Sequence, residues 1–194
     1  MRNARKAEMG VGTLIIFIAL LLVAAVAAGV LIQTAGSLQQ RALSTGSQST
    51  SQISTNAVAL EVSAEDGRNA GVENFSMIMK LAPGSDPIRL ETVSLMMNTV
   101  DTTTAYTYAT GSTPIVDALN NNGTFTVEYL QEGTASDEGL LVRGDVVRIE
   151  FVAQAEIGAA EYVRINFIPQ VGTPTQVIFE TPDVMSTQRV YLYP

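Results

Sequence analysis

The side chains able to do chemistry in this 194-residue chain are carboxylates, hydroxyls, amides and a few cations; it has no Cys and no His. That removes thiolate nucleophiles, imidazole acid–base catalysis and Cys/His zinc sites together, and it removes any disulfide framework. Two acidic clusters, Glu61/Glu65/Asp66 and Glu132/Asp137/Glu138, carry the oxygen ligands that Ca²⁺ or Mg²⁺ takes. Neither has EF-hand spacing, and a solvated acidic face is the plainer reading. Asp101 beside Thr102, Thr103 and Thr104 reads as loop chemistry. Tyr106, Tyr108 and Tyr129 read as outer-surface strand residues before they read as a ligand platform. No Ser-Lys or carboxylate pair has motif spacing, so the expectation is no enzyme, no metal and no cofactor. Two sequons occur, Asn74-Phe75-Ser76 and Asn122-Gly123-Thr124. Asn122 falls in a turn and is the better N-glycosylation candidate; Asn74 begins a strand.

These residues hang on a chain of two halves. Residues 11–32, VGTLIIFIALLLVAAVAAGVLI, are a continuous apolar run. As a helix the run spans about 33 Å, enough to cross a hydrocarbon core. It is apolar on every side, so lipid or other helices must surround it. It carries about a dozen large apolar side chains, and leaving them in water costs on the order of 20–40 kcal/mol. Ala24/Ala28 and Ala25/Gly29 have the small-xxx-small spacing that lets helix backbones approach closely. Arg2, Arg5 and Lys6 precede the run and place that end in the cytoplasm. Two readings follow. The run is an uncleaved membrane anchor, or a peptidase cuts after Gly10 and frees a helix for assembly. Cutting would remove three cations that a helical bundle accommodates only at several kcal/mol each.

Residues 33–55 are polar yet almost uncharged, with Arg41 alone. They fit a Ser/Gln linker or, as we favour, a continuation of the helix. From Ala57 the period changes to two, with Val58, Leu60 and Val62 alternating with polar or small residues. Further strands are expected over 72–81, 88–98, 103–108, 124–130, 145–154, 161–168, 176–180 and 188–193, separated by turn-rich pieces. Many short strands with frequent turns indicate a β-sandwich or barrel. The net charge of −8 and the lack of Lys/Arg clusters argue against nucleic acid as a partner.

Three stretches together resemble an archaellin, the filament subunit of the archaeal flagellum. The first is KAEMG at 6–10 followed by VGTLIIFIA, similar to a type IV pilin-like processing site and mature N-terminus. The second is LAPGSDPIRL at 81–90. The third is IPQVGTPTQVIFETP at 168–182 with VYLY at 190–193. The resemblance implies an α+β chain: a long N-terminal apolar helix followed by an all-β immunoglobulin-like sandwich. It implies a leader over 1–10, a core helix over 11–56 and an outer domain over 57–194. A prepilin-type peptidase would cut between Gly10 and Val11. The helix would wait in the membrane and then polymerise with other copies or other archaellins in an extracellular filament turned by a basal motor. Bacterial type IV pilins carry Glu at the fifth mature position; Ile15 stands there in this chain, which favours an archaellin. The alternatives are an adhesive archaeal type IV pilin and an uncleaved single-pass surface protein.

Overall fold

A computed structural model describes residues 2–68, 71–109 and 123–194. The chain divides into two compact units, Met1–Ser49 and Thr50–Pro194.

One helix, α1, runs over Arg2–Ser54. Residues 33–54 are therefore helix rather than linker. The five Gln residues, Leu38, Leu43 and Arg41 are good helix formers, and the interior Gly36 and Gly46 each cost only about 1 kcal/mol. Several hydroxyls inside the helix bond back to it. Thr34 Oγ1 lies 2.9 Å from Val30 O and 3.0 Å from Leu31 O. Ser37 Oγ donates to Thr34 O at 3.1 Å, and Ser47 Oγ donates to Ser44 O at 2.9 Å. Polar side chains that bond back to their own turn leave few donors open to a surrounding apolar phase. The helix is long and apolar enough to cross a membrane.

The second unit is β-structure. Its strands are β1 (Ala57–Ala64), β2 (Val72–Leu81), β3 (Ile88–Arg89), β4 (Ser94–Asn98), β5 (Thr103–Tyr108), β6 (Thr124–Gln131), β7 (Leu140–Leu141), β8 (Val146–Ile157), β9 (Tyr162–Ile168), β10 (Thr175–Glu180) and β11 (Val190–Tyr193). Nine of them form one sheet in the order β10-β9-β4-β5-β6-β8-β2-β1-β11; β3 pairs with β7 apart from it. Neighbours in the large sheet run antiparallel except β5 and β6, which are parallel at Thr107/Thr124 and Tyr108/Phe125. The expected sandwich is realised by folding this single sheet over. Phe75 on β2 meets Phe179 on β10 with ring centroids 6.4 Å apart, although five strands separate them in the sheet order. Period-two rows fill the space between the layers: Phe75, Met77 and Met79; Leu95 and Met97; Val163, Ile165 and Phe167. Phe151 lies between Phe75 and Tyr106, at 5.7 Å and 5.2 Å.

Three expectations need correction. Val58 and Leu60 do not share the buried face of Val62. They are exposed while Ala57 and Val62 are buried, because the register slips between Ala59 and Glu61. One extra residue exchanges the two faces of a strand. The expected strand over 88–98 is broken by a 3₁₀ turn at Leu90–Thr92. The reason is visible in parity: Ile88 and Leu90 are buried, and so are Val93, Leu95 and Met97. An unbroken strand would send the second set to the opposite face. Finally, Tyr106 is a core residue, fully buried, where an outer-surface residue was expected. Burial pushes its hydroxyl up to about 12.

Candidate functional site

The helix presents its side chains without cover. From Val11 to Ile32 the large apolar residues are all exposed, Phe17 at 59% and Val26 at 64% among them. A Cβ built on Gly29 meets no other group. Ala24, Ala25, Ala28 and Gly29 therefore form an open small-residue strip on a surface of Leu, Ile and Val. Gly10 and Val11 lie within the same continuous helix, where Thr13 Oγ1 donates to Gly10 O at 2.9 Å.

Where α1 ends, two loops close on the chain. Thr55 N donates to Ser51 O at 3.0 Å, and Thr173 N donates to Thr55 O at 2.9 Å. Asn56 N donates to Ser85 Oγ at 3.0 Å, and Ala82 N donates to Asn56 O at 2.9 Å. Thr175 Oγ1 donates to Ala57 O. Gly172 has φ +125, and a Cβ there would stand 2.6 Å from Thr55 O. The two loops lie inside the stretches 81–90 and 168–182 that carried the resemblance. Brought together by the fold, they clasp the first residues after the helix. No sequence spacing announces this, because the partners are 29 residues apart at Ser85 and 118 apart at Thr173 and Thr175.

Three members of the acidic clusters, Glu65, Asp66 and Asp137, serve local structure. Asp66 Oδ2 accepts from Glu73 N at 2.8 Å and Asn74 N at 3.1 Å. Glu65 pairs with Arg189 at 2.8 Å. Asp137 Oδ1 accepts from Glu138 N at 3.0 Å. Among the described residues no three such groups converge to hold a metal ion. The loop before Asp101 is closed by Thr99 and Thr102, whose hydroxyls lie 3.0 Å apart. Tyr108 is half-buried, and Tyr129 Oη sits 3.0 Å from Leu140 O. Asn74 lies within β2, half-buried, with Phe75 in the core and Ser76 2% exposed. Asn122 lies outside the described residues. A cleft that sequence reading missed lies beside Asn74, floored by Glu150 and Ser76. Its signal is only a charged residue inside the apolar run of β8.

A family model described as archaeal-type flagellin matches residues 7–179. Flagellin B1 of Methanocaldococcus jannaschii is 32% identical over 93% of this chain and 92% of its own length. Flagellin B1 of Halobacterium salinarum is 32% identical over 92% of this chain and 90% of its own. Among solved structures, the archaeal flagellum of Methanospirillum hungatei strain JF1 superposes with a TM-score of 0.70 at 16% identity, covering 95% of this chain and 99% of that one. The crystal structure of archaeal flagellin FlaB1 from Methanocaldococcus jannaschii gives 0.63 at 20% identity, covering 71% and 96%. The structural likeness concerns the fold; the sequence matches span the apolar helix, both clasping loops and most of the sheet. On these matches, the chain belongs to the archaeal-type flagellin family.

Proposed function

We propose that the chain is a structural subunit that polymerises into an archaellum filament used for swimming. The observation that carries this is the helix surface. The fourteen uncovered Leu, Ile, Val and Phe side chains between Val11 and Ile32 cannot remain in water, and a subunit that stacks on copies of itself covers them. In this reading the helix has two apolar homes in succession, the membrane and then the filament core. The hydrophobic term nearly cancels between them, so helix packing through Ala24/Ala28 and Ala25/Gly29, together with contacts between β-domains, decides the transfer. Contacts that repeat head to tail without closing give an open helical polymer.

The finer steps belong to the same proposal. A prepilin-type peptidase removes residues 1–10 by cutting between Gly10 and Val11, taking Arg2, Arg5 and Lys6 away from the apolar helix. Residues 11–56 become the core helix, and 57–194 the outer wall. A basal motor turns the filament. The protein catalyses no reaction of its own. Asn122 is the favoured glycan acceptor. At Asn74 modification would have to precede folding, since Ser76 of that sequon is buried. N-terminal sequencing and electron microscopy of sheared extracellular material test the reading. Filaments whose subunits begin at Val11 are expected; retention of Met1 in the extracellular form would overturn it. Intact mass of the same material reports the glycans.

A further inference from the structure

On the solvent side of the sheet, opposite the aromatic core, Glu150 sits in the middle of β8, directly across from Ser76 on β2 and Thr126 on β6. Glu150 is 6% exposed and Ser76 2%. Neither Glu150 Oε2 nor Ser76 Oγ has a hydrogen-bond partner. Both line a cleft of about 240 Å³ whose rim includes Glu65, Asn74 and Gln188. That volume is far beyond the roughly 10–15 Å³ that admits one water. Glu150 and Ser76 are both nine-tenths buried, line the same cleft, and each holds an oxygen without a partner; they call for a donor, since an unpaired buried acceptor costs about 1–3 kcal/mol and a charged one more.

The charges around Glu150 decide what kind of donor. Burial does most to push its carboxyl up, and Glu65 just after β1 and Glu128 on β6 add to it; Arg148 on its own strand and Arg189 before β11 pull it down. Each of these cations makes one ion pair, Arg148 Nη1 with Glu128 and Arg189 Nη2 with Glu65, at 2.8 Å, and Arg148 Nε is itself buried without a partner, so two cations stand against the three carboxylates Glu65, Glu128 and Glu150. The cleft thus keeps an uncompensated negative charge. Meanwhile Arg41, Arg68, Lys80, Arg89, Arg143 and Arg164 are exposed and, among the described residues, carry no ion pair. In a polymer of this chain every neighbour brings the same free cations.

We propose that the cleft receives the guanidinium or ammonium end of an arginine or lysine side chain from a second copy of this chain. The proposal rests on the filament reading above. The N–H groups donate to Glu150 Oε2 and Ser76 Oγ, and the cation favours the ionised carboxylate. In the isolated subunit the sign is opposite. A folded carboxyl held above its unfolded value gains stability below the unfolded pKa and loses it as pH rises through the folded one. Glu150 is therefore a strain in the subunit and a bond in the filament.

Full-length protein carrying Glu150→Gln provides the test. In detergent micelles at pH 7 the β-domain of the variant should unfold at a higher temperature than wild type. Its sheared filaments should lose subunits about tenfold faster, and the fall in wild-type filament stability on acidification through the carboxyl range should vanish. Neutralising the six cations one at a time should identify one whose loss reproduces the filament effect and is not additive with Glu150→Gln. Equal or slower subunit loss with Glu150→Gln overturns the proposal while leaving the filament function intact. Failure of wild type to form filaments at all overturns the function instead. A filament map of the wild type decides independently of any variant. A neighbour's side-chain nitrogen within hydrogen-bond distance of Glu150 Oε2 supports the socket; solvent, or a free cation unconnected to any chain, overturns it.

Discussion

The helix of residues 11–32 and the strand β8 are both rich in aliphatic and aromatic side chains, and they spend them in opposite ways. On β8, Val147, Ile149 and Phe151 are at most 1% exposed. On the helix, Leu14, Phe17 and Leu21 are all more than half exposed. A helix closes its backbone hydrogen bonds within itself, so it can stand before any partner arrives, with its side chains still unspent. A strand must borrow its backbone partners from other strands, and the pairing that supplies them also buries one face. The β-unit is thus finished as a monomer, while the helix is finished only by other chains. Mutations should separate the two regions accordingly.

The largest expected effect is at the helix. Leu21→Asp places a carboxylate in surroundings that, under the proposed function, are apolar both before and after assembly, at several kcal/mol per subunit. Swimming and filaments should be lost, while unfolding of the β-unit in micelles should stay within about 0.5 kcal/mol of wild type. A motile strain with normal filaments carrying the change would break the comparison. Next comes the core. Phe151→Ala removes the ring stacked on Phe75 and should cost about 3–5 kcal/mol of β-unit stability, read from denaturant unfolding of the full chain. Helix content at residues 11–32 should survive in micelles. Smaller again is the clasp. Gly172→Ala puts a side chain on a left-handed backbone and against Thr55 O, for a loss of about 1–3 kcal/mol. Calorimetry should show it, and an unchanged melting temperature would mean the clasp contributes nothing. The smallest effect is expected at the surface pair. Arg189→Gln should cost under about 1 kcal/mol, because both side chains of its salt bridge to Glu65 remain partly exposed to water.

Much of this was legible along the chain. The 11–32 run announced a helix needing apolar surroundings, because composition around all sides of a helix needs no tertiary knowledge. The strands at 72–81 and 103–108 have the bounds that alternation gave, since one face of each is core and the other is not. Parity carried more than was taken from it. The change from even to odd apolar positions between Leu90 and Val93 is a sequence signal for the break there, and the bulge near Leu60 has none so plain. The short pairing of β3 with β7 was invisible, because two residues are too few for a period.

What the sequence determined by itself is local: which segment is helical, which segments alternate, that Cys and His chemistry is absent, and that one surface demands an apolar partner. Each follows from the types of neighbouring residues. Only the tertiary structure decided that one sheet folds into both layers, that the loops at 82–85 and 172–175 meet at Thr55 and Asn56, and that Glu150 and Ser76 lie side by side in a shared cleft. Those juxtapositions join residues tens to more than a hundred positions apart. They depend on strand order and register, which are settled by the packing of the whole core rather than by any stretch of it.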